Sequence, residues 1–268
     1  MEYYVSNNGK YYLYADVDPK KDTAWMTIYS SDGSKLLSEI ESAFTIGGHR
    51  AAVSDSGTLF AAAAYSRSGI VFRDSQGNLL AKNKDVKKIQ GLAFSSDGNY
   101  LYAWNGDDTA HTYYISTNTF LTEKRIVADR IIPNLYENDI VFWKQDIALI
   151  GEKKIKSPTF AFLCAVGTPS GVCLSPVCEN PIMYDYNGNL LWKTDIVKTP
   201  QGSSELDHIL QLTYVEETIF ARSYNDNILA LDPHTGKSLG IVGQNAVLIL
   251  ENGKSYLDKD MKIHKIYI

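Results

Sequence analysis

An all-β fold built from repeated antiparallel units is what this sequence predicts, and three observations predict it. The segment VSNNGKYYLYA, from Val5, returns as VSDSGTLFAAA at Val53 and as FSSDGNYLYAW at Phe94, so the chain is made by repetition at a spacing of roughly 40 residues. Turn residues recur at two places in each repeat, with strand-forming residues between them. Nowhere do apolar residues hold a helical period over successive turns without a Gly or Pro break. Together these point to the blades of a β-propeller, a fold whose chemistry lies in its loops.

The elements follow in order. Aligning the repeats on Gly9, Gly57 and Gly98 places Val5, Val53 and Phe94 before the turn, beside Ser6, Ser54 and Ser95, and places Tyr12, Phe60 and Leu101 after it. This is a strand, a tight corner and a returning strand, in which SNNG, SDSG and SSDG supply residues that tolerate positive φ. A second turn closes another hairpin at 31–33, 75–77 and 117–118, and again at 186–188 and 234–236, with a weaker instance at 150–152. First turns continue at 137–139, 170–171, 216–217 and 252–253. The last unit has room for strands at 247–250, 254–257 and 262–268. The expectation is one propeller domain over residues 1–268, with seven blades of four antiparallel strands and six blades as the alternative.

Composition bounds the function. At 268 residues the chain fits a closed all-β fold with a continuous core. Hydrophobic content of 44% and charged content of 21% are those of a globular protein and not of a disordered one. The apolar run at 159–166 falls well short of a membrane span, so no membrane association is expected. MEYYVSNNGKYY has no basic patch followed by an apolar core. The expected location is therefore cytoplasmic, although a secreted protein already stripped of its leader would read the same. A net charge of −5 argues against a phosphate-rich partner, and no nucleic acid is expected. Lys82, Lys84, Lys87 and Lys88 alternate with Asp85 as in a solvated loop. Cys164, Cys173 and Cys178 are an odd set with no C-x2-C knuckle, which fits buried thiols in a reduced compartment better than a disulfide framework or zinc.

Two families share parts of this pattern. FSSDGNYLYAWNGDDTAHTYYISTNT, at 94–119, resembles a blade of the WD-repeat and lactonase-like propellers. NILALDPHTGKSLG, at 227–240, and IMYDYNGNLLW, at 182–192, resemble blades of quinone-type (PQQ-like) propellers. The departures limit what the resemblance implies. There is no Trp-Asp dipeptide, and Gly48-His49 stands too close to Gly57 for the usual Gly-His pair. Trp192 matches the docking tryptophan of the quinone-type blade, but Gly240, Leu37 and Ala81 occupy the equivalent places, and the adjacent cysteine pair is missing. The resemblance implies a propeller and brings no cofactor, metal or catalytic residue with it.

Short first and second turns would share one face, leaving the other connections to form the binding face. On that reading residues 15–24, 64–69, 103–112, 143–146 and 222–227 are loops, and they offer Asp16, Asp18, Arg67, Trp104, Asp107, Asp108, Trp143, Tyr224 and Asp226 as binding residues. Aromatics and Arg dominate protein hot spots and acidic groups steer encounter, so the expected partner is a basic protein. The competing reading is of ordinary hydrophilic loops, with Trp104 and Trp143 as core residues at strand ends. Asp107, Asp108 and His111 resemble an acid–base or metal set, yet one loop supplies all three and no nucleophile or metalloprotease motif occurs. The expected function is a non-enzymatic protein-binding propeller, in its specific form an inhibitor or immunity protein that caps a basic toxin or enzyme. The alternative is a small hydrolase, lactonase or lyase with a metal in a central channel. A sensor or scaffold module is the third reading.

Overall fold

The repeated serine and glycine make the corners on which each sheet is built. In the computed structural model the amides of Gly9, Gly57 and Gly98 donate to the carbonyls of Ser6, Ser54 and Ser95 at 2.9, 2.9 and 3.0 Å. These glycines take φ of +68°, +68° and +73°, a region costly for residues with a Cβ. The serine hydroxyls are buried, and they accept the amides of Tyr11, Leu59 and Tyr100 at 3.1, 3.1 and 2.9 Å. A buried hydroxyl thereby gains the partner it needs while the returning strand is fixed in register.

The structure describes residues 2–18, 20, 23–37, 40–43, 49–64, 69–105, 110–194 and 208–267. The chain divides into two compact units, Met1–Pro133 and Asn134–Ile268. The first sheet holds β1 (Glu2–Val5), β2 (Tyr11–Asp18), β3 (Thr23–Ser30) and β4 (Ile40–Ala43). The second holds β5 (His49–Val53), β6 (Leu59–Ala64), β7 (Ile70–Asp74) and β8 (Leu79–Asn83). The third holds β9 (Ile89–Phe94), β10 (Tyr100–Asn105), β11 (His111–Ser116) and β12 (Thr122–Val127). The fourth follows with β13 (Arg130–Ile132), β14 (Ile140–Lys144), β15 (Ile147–Ile150) and β16 (Lys153–Lys156).

The fifth sheet has β17 (Phe162–Thr168), β18 (Gly171–Pro176), β19 (Ile182–Tyr184) and β20 (Leu190–Lys193). The sixth has β21 (Ile209–Val215), β22 (Thr218–Ser223), β23 (Ile228–Leu231) and β24 (Ser238–Gly243). The seventh has β25 (Ala246–Leu250), β26 (Ser255–Asp258) and β27 (Ile263–Lys265). Neighbours within each sheet are consecutive in sequence, as a meander of hairpins requires. The fold is an all-β, seven-bladed β-propeller. Six blades carry the expected four strands, and the seventh carries three among the described residues. A 3-10 turn at Glu251–Gly253 joins β25 to β26, and no described helix is long and apolar enough to cross a membrane.

The core follows from a period of two. Along β6, Phe60 and Ala62 pack with Leu13, Ala15, Met26 and Ile28, whereas Ala61 and Ala63 pack with Phe94, Leu101 and Ala103. Successive side chains of a strand point to opposite faces, and here both faces are covered. The second unit repeats the device on β22. Ile219 and Ala221 pack with Met183 and Trp192, and Phe220 packs with Ala246 and Ile249.

Aspartates lock several of the remaining corners. The Asp74 carboxylate accepts the amides of Gln76 and Asn78 at 3.0 and 2.8 Å, and Asp185 accepts those of Asn187 and Asn189 at 2.9 and 2.8 Å. Hydrogen bonds from the Asn78 and Asn189 side chains, together with these amides, hold both carboxyls below the usual range. At Asp258 the Lys262 amide and then the His264 ring do the same.

Two outcomes follow from this packing and these corners. Phe94 is 2% exposed, so Phe94→Ala should cost about 3–5 kcal/mol in urea unfolding, and Phe94→Asp should leave no folded protein. A melting temperature within a degree or so of the parent's would place Phe94 outside the core. Because the turn aspartates titrate lower when folded than when unfolded, their stabilisation is complete above the unfolded carboxylate value, about pH 4, and is lost as pH falls through the folded values. The D74N/D185N variant should therefore lose less stability than the parent between about pH 6 and pH 3 in denaturant titrations.

Candidate functional site

In the first unit, two expected loop residues belong to a strand. Asp16 and Asp18 lie on β2, paired with Trp25 and Thr23 across β3, so the connection shrinks to 19–22. The physical reason is alternation: apolar Leu13 and Ala15 bury on one face, and Tyr14 and Asp16 take the other. A strand with one polar face reads locally like a loop.

Tyr14, Asp16, Trp25 and Thr27 line an open cleft of about 140 Å³ on that face. The Trp25 indole is 39% exposed and Thr27 is buried. The Tyr14 ring lies 5.4 Å from that of Tyr3, and burial pushes its hydroxyl pKa up, with the Asp16 charge and Tyr29 adding to the effect. Sequence reasoning missed Trp25 and Tyr14. The signal was available in the pairing, because a hairpin register with Asp18 opposite Thr23 sets Trp25 opposite Asp16.

Trp104 is also a strand residue, on β10 opposite Gly91. A Cβ built on Gly91 would meet the Trp104 ring at 2.0 Å. The glycine is thus the seat on which the indole lies. Arg67, Asp107 and Asp108 lie outside the described residues.

In the second unit, Trp143 lies on β14 and not in a loop. Lys154 Nζ sits 4.2 Å from its ring centre and Lys144 Nζ 5.4 Å, so the ring face already holds cations. Asp226, at φ +61° after β22, pairs with Lys259 at 2.6 Å and with Arg222 at 3.8 Å. Its charge is spent within the unit. Tyr224 is 67% exposed, and its ring stands edge-on to that of His208 at 6.4 Å. The expectation of buried thiols holds for Cys173 alone. Cys164 is half-buried, and Cys178, in the turn after β18, is exposed beside His208. A turn residue has neighbours on one side only, which short-range sequence spacing does not reveal. Among the described residues no group of three His, Cys, Asp or Glu side chains is placed to hold a metal ion.

Comparison with protein families finds no matching family model, and comparison with curated proteins finds no match. Solved structures do match. Kluyvelomyces marxianus Hsv2 is similar at a TM-score of 0.68 and 8% identity, over 100% of this chain and 98% of its own. The hydrazine synthase of Kuenenia stuttgartiensis is similar at 0.63 and 11%, over 99% and 94%. The computationally designed Ika8 protein is similar at 0.62 and 14%, over 96% and 82%. At these identities the likeness is one of propeller-like fold alone.

Gly91→Ala should displace the Trp104 indole and destabilise the protein by about 1–3 kcal/mol. In a Trp104→Ala background the same change should cost far less, measured as a double-mutant cycle. Equal costs in both backgrounds would show that the ring does not rest on the glycine.

Proposed function

We propose that this chain is a non-enzymatic protein-binding propeller that receives a basic side chain of a partner protein in the Tyr14–Asp16–Trp25 cleft. The carrying observation is the cross-strand pair itself, which sets a carboxylate and a half-exposed indole side by side on a rigid sheet. A lysine or arginine would lay its stem on the Trp25 and Tyr14 rings and direct its charge to Asp16. The cleft volume supports that scale of ligand. About 140 Å³ is several times the ~30 Å³ share of one water and below the ~300 Å³ at which small-molecule pockets begin.

A net charge of −5 favours encounter with a basic surface. Within this reading, an inhibitor or immunity protein that caps a basic toxin or enzyme is the specific form, acting in the cytoplasm. The blade motifs' resemblance to WD-repeat and quinone-type propellers supports a binding role only as far as the former is concerned.

The test is calorimetric titration with an arginine-rich peptide. Asp16→Asn should weaken binding about tenfold or more, the scale of a lost charged hydrogen bond, and Trp25→Ala should weaken it by a similar factor. Affinity should fall as salt rises. Equal affinity for an acidic peptide, or no change on either substitution, would reject the cleft as the binding site.

A further inference from the structure

We propose that Cys178 and His208 form a thiol-modification site that takes low-molecular-weight disulfides. Two blades of the second unit bring them together. Cys178 stands in the turn after β18, immediately behind Val177, whose amide is tied to the Ala161 carbonyl at 2.9 Å. His208 stands at the mouth of β21, and its carbonyl accepts the Tyr224 amide at 2.7 Å. Each residue is therefore placed by backbone bonds, and the Tyr224 ring stands edge-on to the imidazole.

The chemistry follows from three distances between the two residues. The Cys178 amide lies 3.3 Å from His208 Nδ1, which makes Nδ1 the acceptor nitrogen and assigns the proton of the neutral ring to Nε2. The Cys178 sulfur lies 3.9 Å from Nδ1 and 3.8 Å from Nε2. Nδ1 carries the one lone pair of the neutral ring, so the thiol proton passes to it in exchange for the amide contact, and Nε2–H is a donor within reach of a thiolate. Glu179, the next residue, would oppose a negative sulfur, but its carboxylate is tied to Lys193 at 2.9 Å and to the Asn180 amide at 2.8 Å.

The other two thiols set the contrast. Cys173 is buried, and burial followed by the nearby Cys164 pushes its thiol pKa up, away from the reactive thiolate. The Cys164 thiol is half-buried and donates to the Ile209 carbonyl at 3.3 Å. Exposure and a proton acceptor coincide at Cys178.

In the exchange the Cys178 S–H proton passes to His208, and the thiolate attacks one sulfur of the disulfide R–S–S–R. A Cys178 S–S–R bond forms as the original S–S bond breaks. Its electron pair leaves on R–S⁻, which takes the proton from the imidazolium and departs as R–SH. Cys178 is oxidised, the leaving sulfur is reduced, and protons balance. The product carries a new group beside Tyr224.

Oxidised glutathione is the probe, applied to the full chain, with the adduct located by peptide mass mapping. The adduct should form first at Cys178 and be absent from Cys178→Ser. His208→Ala should slow it about a hundredfold or more, the scale of a lost proton acceptor, while Cys164→Ser leaves the rate unchanged. Should His208→Ala fail to fold, the parent in urea supplies the second measurement, since unfolding separates the two residues and should slow the reaction comparably. First modification at Cys164 or Cys173, an unchanged rate in folded His208→Ala, or an equal rate in the unfolded chain would overturn the proposal.

Discussion

The constraint on which the structure depends is the satisfaction of backbone amides at the hairpin corners. A meander of antiparallel strands reverses direction many times, and each reversal takes amides out of the ladder. In the first three blades a buried serine hydroxyl takes one of them and the left-handed glycine frees the geometry for the rest. Elsewhere an aspartate does the same work, with asparagine four residues on closing the ring at Asp74 and Asp185, and in the third blade Asp97 and Asn99 add such a ring to the serine corner. Register, and with it the placing of apolar side chains on the two faces, is inherited from these corners.

This dependence explains what was legible in the sequence. The corners are local, built within about five residues, so Ser6, Ser54 and Ser95 and their glycines announced the blades directly. The three short strands of the last blade were readable for the same reason, since Asn252-Gly253 and the segment near Asp258 mark its turns. What failed was the length of strands between corners. Asp16-Val17-Asp18 looks like a loop when read for polarity, although its alternation is that of a strand with one face outward.

Site chemistry was less legible, because it depends on who stands opposite. Trp25 gains its meaning only from Asp16 across the ladder, and Trp104 only from Gly91. Cys178 and His208 are 30 residues apart, and nothing in the spacing of either suggests the other. Trp143 and Asp226 show the reverse error. Both have the chemistry of a contact with a basic partner, and both are already occupied by lysines of their own unit. Residue type gives the capacity to bind a cation, and the neighbours decide whether that capacity is free.

The alanines of β6 carry a consequence for how the first unit opens. Ala61 and Ala63 belong to one apolar cluster and Ala62 to another, so a single strand is the wall common to both. A displacement of β6 withdraws support from both clusters at once. The amide protons of β6 should therefore exchange with solvent only through large, concerted openings, placing this strand in the slowest-exchanging class of the unit. Cooperativity in this unit is a property of side-chain size: three methyl groups, thin enough to let two sheets close on one strand, make neighbouring blades a single thermodynamic body.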